Sequence, residues 1–375
     1  MATDVADPQD RKDDREAMRV IIAGGGTGGH VYPGIAVAKE ILRRIPPAEV
    51  VFVGTEKGLE SKVIPQEGFR LEKITSSGIK GIRGLRRLES LLKIPLGLWQ
   101  SYQIISQFKP RLVIGVGGYS SGPPVLVAAL LRIPILLQEQ NATPGLTNRL
   151  LAHFAGRVAI AFPESRNFFG NKAVLTGNPV RHEFCQAKNN TSDDRLVVVF
   201  VGGSQGARAI NQAAIQSLRF LEPHFARLLF IHQTGESDYD EVSMAYAKVA
   251  LAHDVRPFFY DMPIQYVRAD LLVSRAGATT LAEITLAGKA SILIPFPYAT
   301  DNHQQKNAES LANAGAAEMI LQKDLSGELL ANRIQFYLDQ RDALEQMAEK
   351  SLRFGKPDAT EKIVDLAEQL AQGAI

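Results

Sequence analysis

The chain of 375 residues is poor in several things, and each shortage closes a class of function. It has one cysteine, Cys185, so no internal disulfide can form, and no cluster of Cys and His carries metal-site spacing. A lone thiol reads as a small buried apolar residue, and a reducing cytosol suits it. Net charge is scarce as well: 42 Lys and Arg against 40 Asp and Glu leave +2, which points to no nucleic-acid partner. There is no long apolar run. The longest, PPVLVAALLRIPILL (123–137), is interrupted by Arg132 and Pro134 and falls short of a membrane span. The opening MATDVADPQDRKDDREAMRV is charged, carries Pro8 and lacks an apolar centre, unlike a signal peptide. Residues 1–17 are expected to form a disordered tail.

Past that tail, apolar runs alternate with amphipathic stretches. MRVIIAG (18–24), AEVVFVG (48–54), PRLVIGVGG (110–118) and PILLQEQN (134–141) read as strands, with helices at GIAVAKEILRR (34–44) and VLVAALLR (125–132). Continuous Val, Ile and Leu runs suit parallel strands covered on both faces. The pattern restarts at DDRLVVVFVGGSQGARAINQAAIQSL (193–218) and continues through ARLLFIHQTG, VRPFFY, ADLLVSRAG and ASILIPFP. Two such units predict an α/β chain of two doubly wound domains facing a cleft, over 18–178 and 179–354. The break is expected near TGNPVRHEF (176–184), where Gly177 and Pro179 interrupt regular structure. GKPDATEKIVDLAEQLAQ (355–372) reads as an amphipathic helix with Ile363, Leu366 and Leu370 on one stripe, and segment 355–375 is expected to pack back on the first domain.

One segment departs from the alternation. SSGIKGIRGLRRLESLLKIPLGLWQSYQ (76–103) interleaves Lys80, Arg83, Arg86, Arg87 and Lys93 with Ile79, Ile82, Leu85, Leu88, Leu91, Leu92 and Trp99. Such mixing suits an interfacial membrane contact, and equally a helix with a core face and a solvated basic face.

The chemistry gathers in the glycine loops. In GGGTGGH (24–30), Gly24, Gly26 and Gly29 match G-x-G-x-x-G after a strand, which invites a dinucleotide with Glu56 as ribose acceptor. No Lys follows, so this is not a Walker loop. The reading that rests on physics alone is an anion, a phosphate or diphosphate, at a helix N-terminus. His30 is the one side chain of the loop that titrates near neutrality, and so a candidate base. GGSQGA (202–207) is a second cradle, with the Ser204 hydroxyl as donor. SRAGATTLAEI (274–284) is a third: Gly277 to Thr280 open a helix, and Glu283 one turn in can accept from a ribose diol. In PYATDNHQQKNAE (297–309), His303, Gln304 and Gln305 suit sugar hydroxyls. Asp238 and Asp240 resemble an Asp-x-Asp metal site, but a helix cap is the expected role.

Taken in order, GGGTGGH, GVGGYSSGP, EQNATPGLTN, GNPVR, GGSQGA, SRAGATTLAE and DNHQQKNA make the chain resemble the MurG family of peptidoglycan N-acetylglucosaminyltransferases, over nearly its whole length past the tail. The resemblance implies a GT-B fold of two Rossmann-like domains. It implies transfer of N-acetylglucosamine from UDP-N-acetylglucosamine to undecaprenyl-diphosphate-linked N-acetylmuramyl-pentapeptide, with inversion and with no metal or cofactor. It further implies a peripheral place on the cytoplasmic face of the inner membrane, contacts to the inner leaflet through 78–103, and membership of a cell-wall synthesis complex. By motif, Arg181, Ser204, Phe259, Ala278, Thr279, Thr280, Glu283 and Gln304 match donor-binding positions, with Thr27, Gly28, Gly29 and Asn141 as further contacts. His30, Tyr119, Glu139 and Asn148 match the acceptor side. One departure is Gln138, where some members carry a histidine. Glutamine exchanges no proton at neutral pH, which leaves His30 or Glu139 as base. Another GT-B enzyme, an NAD-dependent oxidoreductase and a non-catalytic nucleotide-sugar sensor remain alternatives on fold grounds.

Overall fold

A computed structural model describes residues 17–76, 85–180, 184, 194–203 and 205–373, with the helix over 85–92 described by its backbone alone. Residues 1–16 of the tail expected over 1–17, Cys185, and the site candidates Arg181 and Ser204 lie outside the described residues.

The first sheet is seven-stranded and wholly parallel, in the order β3-β2-β1-β4-β5-β6-β7. Its strands are β1 (Met18–Gly24), β2 (Ala48–Gly54), β3 (Arg70–Lys73), β4 (Leu112–Gly117), β5 (Ile135–Glu139), β6 (Arg157–Ile160) and β7 (Ala173–Leu175). The helices of this half are α1 (Gly28–Arg44), α2 (Glu60–Gln66), α3 (Leu85–Phe108), α4 (Gly122–Leu130), α5 (Leu146–Leu151) and α6 (Arg166–Phe169). The second sheet is six-stranded and parallel, in the order β10-β9-β8-β11-β12-β13. It is built from β8 (Leu196–Val201), β9 (Leu228–Gln233), β10 (Ala252–Arg256), β11 (Leu271–Ser274), β12 (Ala290–Leu293) and β13 (Glu318–Met319). Its helices are α7 (Arg208–Leu221), α8 (Tyr239–Tyr246), α9 (Met262–Arg268), α10 (Ala278–Leu286), α11 (His303–Asn313), α12 (Gly327–Asp339) and α13 (Arg341–Phe354). A last helix, α14 (Ala359–Ala371), crosses back to the first sheet.

Strand order reverses between β1 and β4 in the first sheet and between β8 and β11 in the second. A crevice opens at such a switch point beyond the carboxyl ends of the strands, and there a doubly wound sheet takes its ligand. All four loops concerned are glycine-bearing. β1 and β4 even touch there: the Gly25 N–H donates to Gly117 O at 3.3 Å. Gly117 and Gly118 turn with φ of 97° and 80°, a region that costs residues with a Cβ.

The core lies on both faces of each sheet. On one face of the first, Val37, Ala38 and Ile41 of α1 meet Ile363, Val364, Ala367 and Leu370 of α14, all buried. The stripe read from the sequence is thus the face that α14 buries. In the second half, the face turned toward the first packs Leu281 and Ile284 of α10 and Leu311 of α11 together with Ala142 and Phe162 of the first half. The two halves share apolar surface there.

Two element readings need correction. The helix read from residue 34 begins at Gly28, with Pro33 inside its second turn. There the proline removes a single bond, to the Gly29 carbonyl, a small loss so close to the helix start. His30 therefore stands in the first helical turn, not at the end of a loop. The strand read in VRPFFY ends at Arg256, because Pro257 has no N–H to continue the ladder.

Candidate active site between the two sheets

On the first wall, β1 delivers the chain to Thr27, the N-cap of α1, whose Oγ1 shares a 3.2 Å hydrogen bond with His30 Nδ1. The imidazole edge rests on Gly117, where a Cβ would come within 2.9 Å of His30 Cδ2. The ring keeps part of its surface toward the cleft, yet desolvation pushes its pKa down to about 4, against smaller raising effects from the Gly25 backbone and the charge of Glu60. His30 is thus a neutral imidazole at pH 7, able to accept a proton.

Not every N–H of this loop is free for an anion. Gly26 N–H donates to Glu60 Oε2 at 2.7 Å, while Thr55 N–H and Thr55 Oγ1 donate to Glu60 Oε1 at 3.0 and 2.8 Å. Glu60 is buried, and a Cβ on Gly25, Gly54 or Gly58 would collide with it. The glycines here make room for a carboxylate beneath the loop as well as for a ligand above it. Free donors remain in the first turn of α1, at Gly28 and Gly29. Glu56, weighed as a ribose acceptor, instead pairs on the surface with Lys73 at 3.3 Å.

At the end of β5, Glu139 is buried and its oxygens accept from four donors. These are Asn141 N at 3.0 Å, Asn141 Nδ2 at 3.3 Å, Gly145 N at 3.3 Å and Asn148 Nδ2 at 2.9 Å. Burial raises its pKa, and those hydrogen bonds oppose the rise. The carboxylate holds the loop over 140–148 in shape. Gln138 is buried with both amide atoms unpartnered and does not line the cleft. Tyr119, on a short turn after β4, is partly exposed at the cleft.

On the opposite wall, Gly277 is the N-cap of α10, and Ala278, Thr279 and Thr280 form its first turn. Thr279 Oγ1 is buried without a partner, 3.9 Å from where a Gly29 Cβ would stand, so the first turns of α1 and α10 abut. Glu283 lies half-buried further along α10. Gln304 Oε1 accepts from Phe296 N at 3.0 Å. Phe259 is buried, and its N–H donates to Gln233 Oε1 at 2.9 Å, while Gln233 Nε2 donates to Gly203 O at 3.0 Å. Gln233 so ties the glycine loop after β8 to the segment after β10. Asp238, expected to cap α8, instead accepts from Asn211 Nδ2 at 2.8 Å and pairs with Arg208 at 3.4 Å. It bonds no helix N–H with its side chain, because Asn211 and Arg208 of α7 hold its two oxygens.

Between the walls lies a cavity of about 980 Å³. Thr27, Gly29, His30, Tyr119, Glu139, Asn141 and Asn148 line it from the first half, Ala278 and Gln304 from the second. Gly28, Phe259, Thr279, Thr280 and Glu283 do not line it. Its far end is apolar, with Ile94, Leu98, Leu126, Leu146, Leu150 and Phe154. Among the described residues no group of His, Cys, Asp and Glu side chains has the arrangement to hold a metal ion. Sequence reading missed Glu60, Gln233 and Asn307. For Glu60 a signal existed: a carboxylate set close behind glycines that must leave room for something.

Comparison with known proteins places this geometry. Residues 20–160 match the glycosyltransferase family 28 N-terminal domain, and 197–369 the glycosyltransferase family 28 C-terminal domain. A UDP-N-acetylglucosamine--N-acetylmuramyl-(pentapeptide) pyrophosphoryl-undecaprenol N-acetylglucosamine transferase of Thermodesulfovibrio yellowstonii is 46% identical, over 94% of this chain and 99% of its own length. The protein of the same description in Geotalea uraniireducens is 48% identical over 93% of this chain and 97% of its own. The crystal structure of Acinetobacter baumannii MurG superposes with a TM-score of 0.79 at 34% identity, covering 94% of this chain and 99% of that one. The chain belongs to glycosyltransferase family 28 and, within it, to the MurG family of N-acetylglucosamine transferases.

Proposed function

We propose that this chain transfers N-acetylglucosamine from UDP-N-acetylglucosamine to undecaprenyl-diphosphate-linked N-acetylmuramyl-pentapeptide, by one inverting displacement. The observation that carries the reading is a neutral, cleft-facing imidazole, His30, across one cavity from the open N-terminus of α10. The acceptor's C4 hydroxyl attacks the anomeric carbon, the bond to the UDP oxygen breaks, and His30 takes the hydroxyl proton. The α10 N-terminus, which meets the cavity at Gly277 and Ala278 and to which the motif adds Thr279 and Thr280, faces the charge that grows on the leaving diphosphate, an electrostatic term of the kind that dominates such barriers. By motif, Arg181 and Ser204 join them, Glu283 takes the ribose, Phe259 borders the uracil and Gln304 the sugar. Glu139 is fully engaged by four donors, which favours His30 as base and makes Glu139 the brace of the acceptor loop that carries Asn141 and Asn148.

Residues 18–178 are then the acceptor domain and 179–354 the donor domain. Among the described residues no helix is long and apolar enough to cross a membrane. Leu96, Trp99 and Tyr102 of α3 and Leu130 of α4 are exposed, as are Leu150 and Phe154, which line the cavity beside Ile94 and Leu98 of α3 and Leu126 of α4. That surface supports docking on the inner leaflet, where a lipid-linked acceptor can enter without leaving the bilayer. The basic residues of 78–92 add attraction to anionic lipid.

The test is transfer of labelled N-acetylglucosamine from its UDP donor to a short-chain acceptor analogue. A β-1,4-linked disaccharide product is expected. Donor binding without transfer by the folded protein would overturn the reading in favour of a sensor.

A further inference from the structure

Asn307 does not line the cavity, yet it is fully buried and bonds in three directions. Its Oδ1 accepts from Ala142 N at 2.8 Å, and its Nδ2 donates to Asn141 Oδ1 at 3.2 Å and to Ala276 O at 3.3 Å. Ala142 and Asn141 belong to the loop braced by Glu139 in the first half. Ala276 immediately precedes the N-cap of α10 in the second half. Asn307 itself rides on α11, one turn after Gln304. One amide thus joins three pieces of the cleft: the acceptor-side loop, the donor-side helix entrance and the helix that presents Gln304. A second crossing lies one turn on, where Ser310 Oγ donates to Glu164 Oε1 at 2.8 Å.

We propose that Asn307 is a positioning residue that sets the working separation of the two walls, a claim that rests on the transferase reading above. A primary amide is the chemistry such a junction needs. It must accept from one N–H and donate to two oxygens at once, and its buried neutrality adds no charge beside the diphosphate. Aspartate matches its shape but would set a second oxygen against the oxygens of Asn141 and Ala276. A hydroxyl can replace part of the pattern only. Because two of the bonds span both halves, their loss alters the distance between His30 and the α10 entrance, while the third holds α11 against that entrance within the second half. A misplacement of about 1 Å between reacting groups costs on the order of 10²-fold in rate.

The experiment compares Asn307→Asp with the wild-type chain in three readouts: donor affinity by titration with UDP-N-acetylglucosamine, steady-state transfer, and amide hydrogen exchange over 140–145. Donor affinity is expected to stay within roughly threefold while kcat falls about 10²-fold. Exchange at Ala142 should accelerate in Asn307→Ala, which removes the oxygen that its N–H donates to, and stay near wild type in Asn307→Asp, which keeps that acceptor. Asn141→Ala and Asn307→Ala should combine with less than multiplied losses, as for residues acting through each other. A kcat within about threefold of wild type, or donor affinity lost in step with kcat, would overturn the assignment. Should Asn307→Asp not fold, Asn307→Ser carries the same test. Absence of transfer by the folded wild-type chain would defeat the transferase reading itself, a distinct result.

Discussion

Beneath the glycine loop after β1 lies a carboxylate, Glu60; behind the glycine loop after β8 lies an amide, Gln233. The two loops share sequence logic and position, each at the switch point of a parallel sheet. Their backing differs in charge. Glu60 takes the Gly26 N–H away from any ligand and sets a negative charge near His30, which raises the histidine's pKa against desolvation. That arrangement serves proton acceptance better than it serves phosphate. Gln233 is neutral, braces Gly203 and Phe259 together, and leaves the electrostatics of its loop to the ligand. A glycine-rich turn is a shape, and what stands behind it decides which charge it favours.

The comparison can be broken by exchanging the two backings. The largest effect is expected at the group that the carboxylate serves: His30→Ala should lower kcat by about 10²–10⁴-fold with donor affinity retained, measured by transfer and by titration. Loss of donor affinity instead would move the nucleotide to the first loop. Next, Gln233→Glu places an oxygen against Gly203 O and should weaken UDP-N-acetylglucosamine binding about tenfold, worth about 1.4 kcal/mol, while the acceptor KM holds. Glu60→Gln leaves a donor facing a donor in a buried site, and should cost about 1–3 kcal/mol of stability in urea unfolding.

The pH profile sharpens the same point. His30 must be neutral to act as base, and in the free protein burial lowers its pKa to about 4, so the acid limb of kcat/KM should fall through about pH 4, well below the usual histidine range. In Glu60→Gln a negative charge that raises this pKa is gone, so the limb should shift to lower pH. A limb near pH 6.5 would mean that another group titrates. The smallest effect is expected far from both loops: Trp99→Ala should weaken binding to anionic vesicles by a few-fold, read by sedimentation.

Much of this was legible along the chain. β1, β2, β4, β5, β8, β9, β11 and β12 all fall in the apolar runs of the sequence, because strands buried on both faces need such runs. The glycine loops were legible because backbone near a ligand excludes side chains. β3, β6, β7 and β13 were not, being two to four residues long and largely held by neighbours. The side chains that shape the cleft were harder still. Glu60 bonds Gly26 across 34 positions, Gln233 bonds Phe259 across 26, and Asn307 reaches Ala142 across 165.

The sequence by itself determined two parallel α/β units, three glycine-bearing loops, a C-terminal amphipathic helix and the family, since each rests on local periodicity or on short motifs. Only the tertiary structure decided which N–H groups are already spent, that Glu139 accepts from four donors while Gln138 lies off the cleft, that burial lowers the His30 pKa, and that one amide links both walls. Those properties depend on burial and on partners brought together by the sheet crossovers, and neither is written in residue spacing.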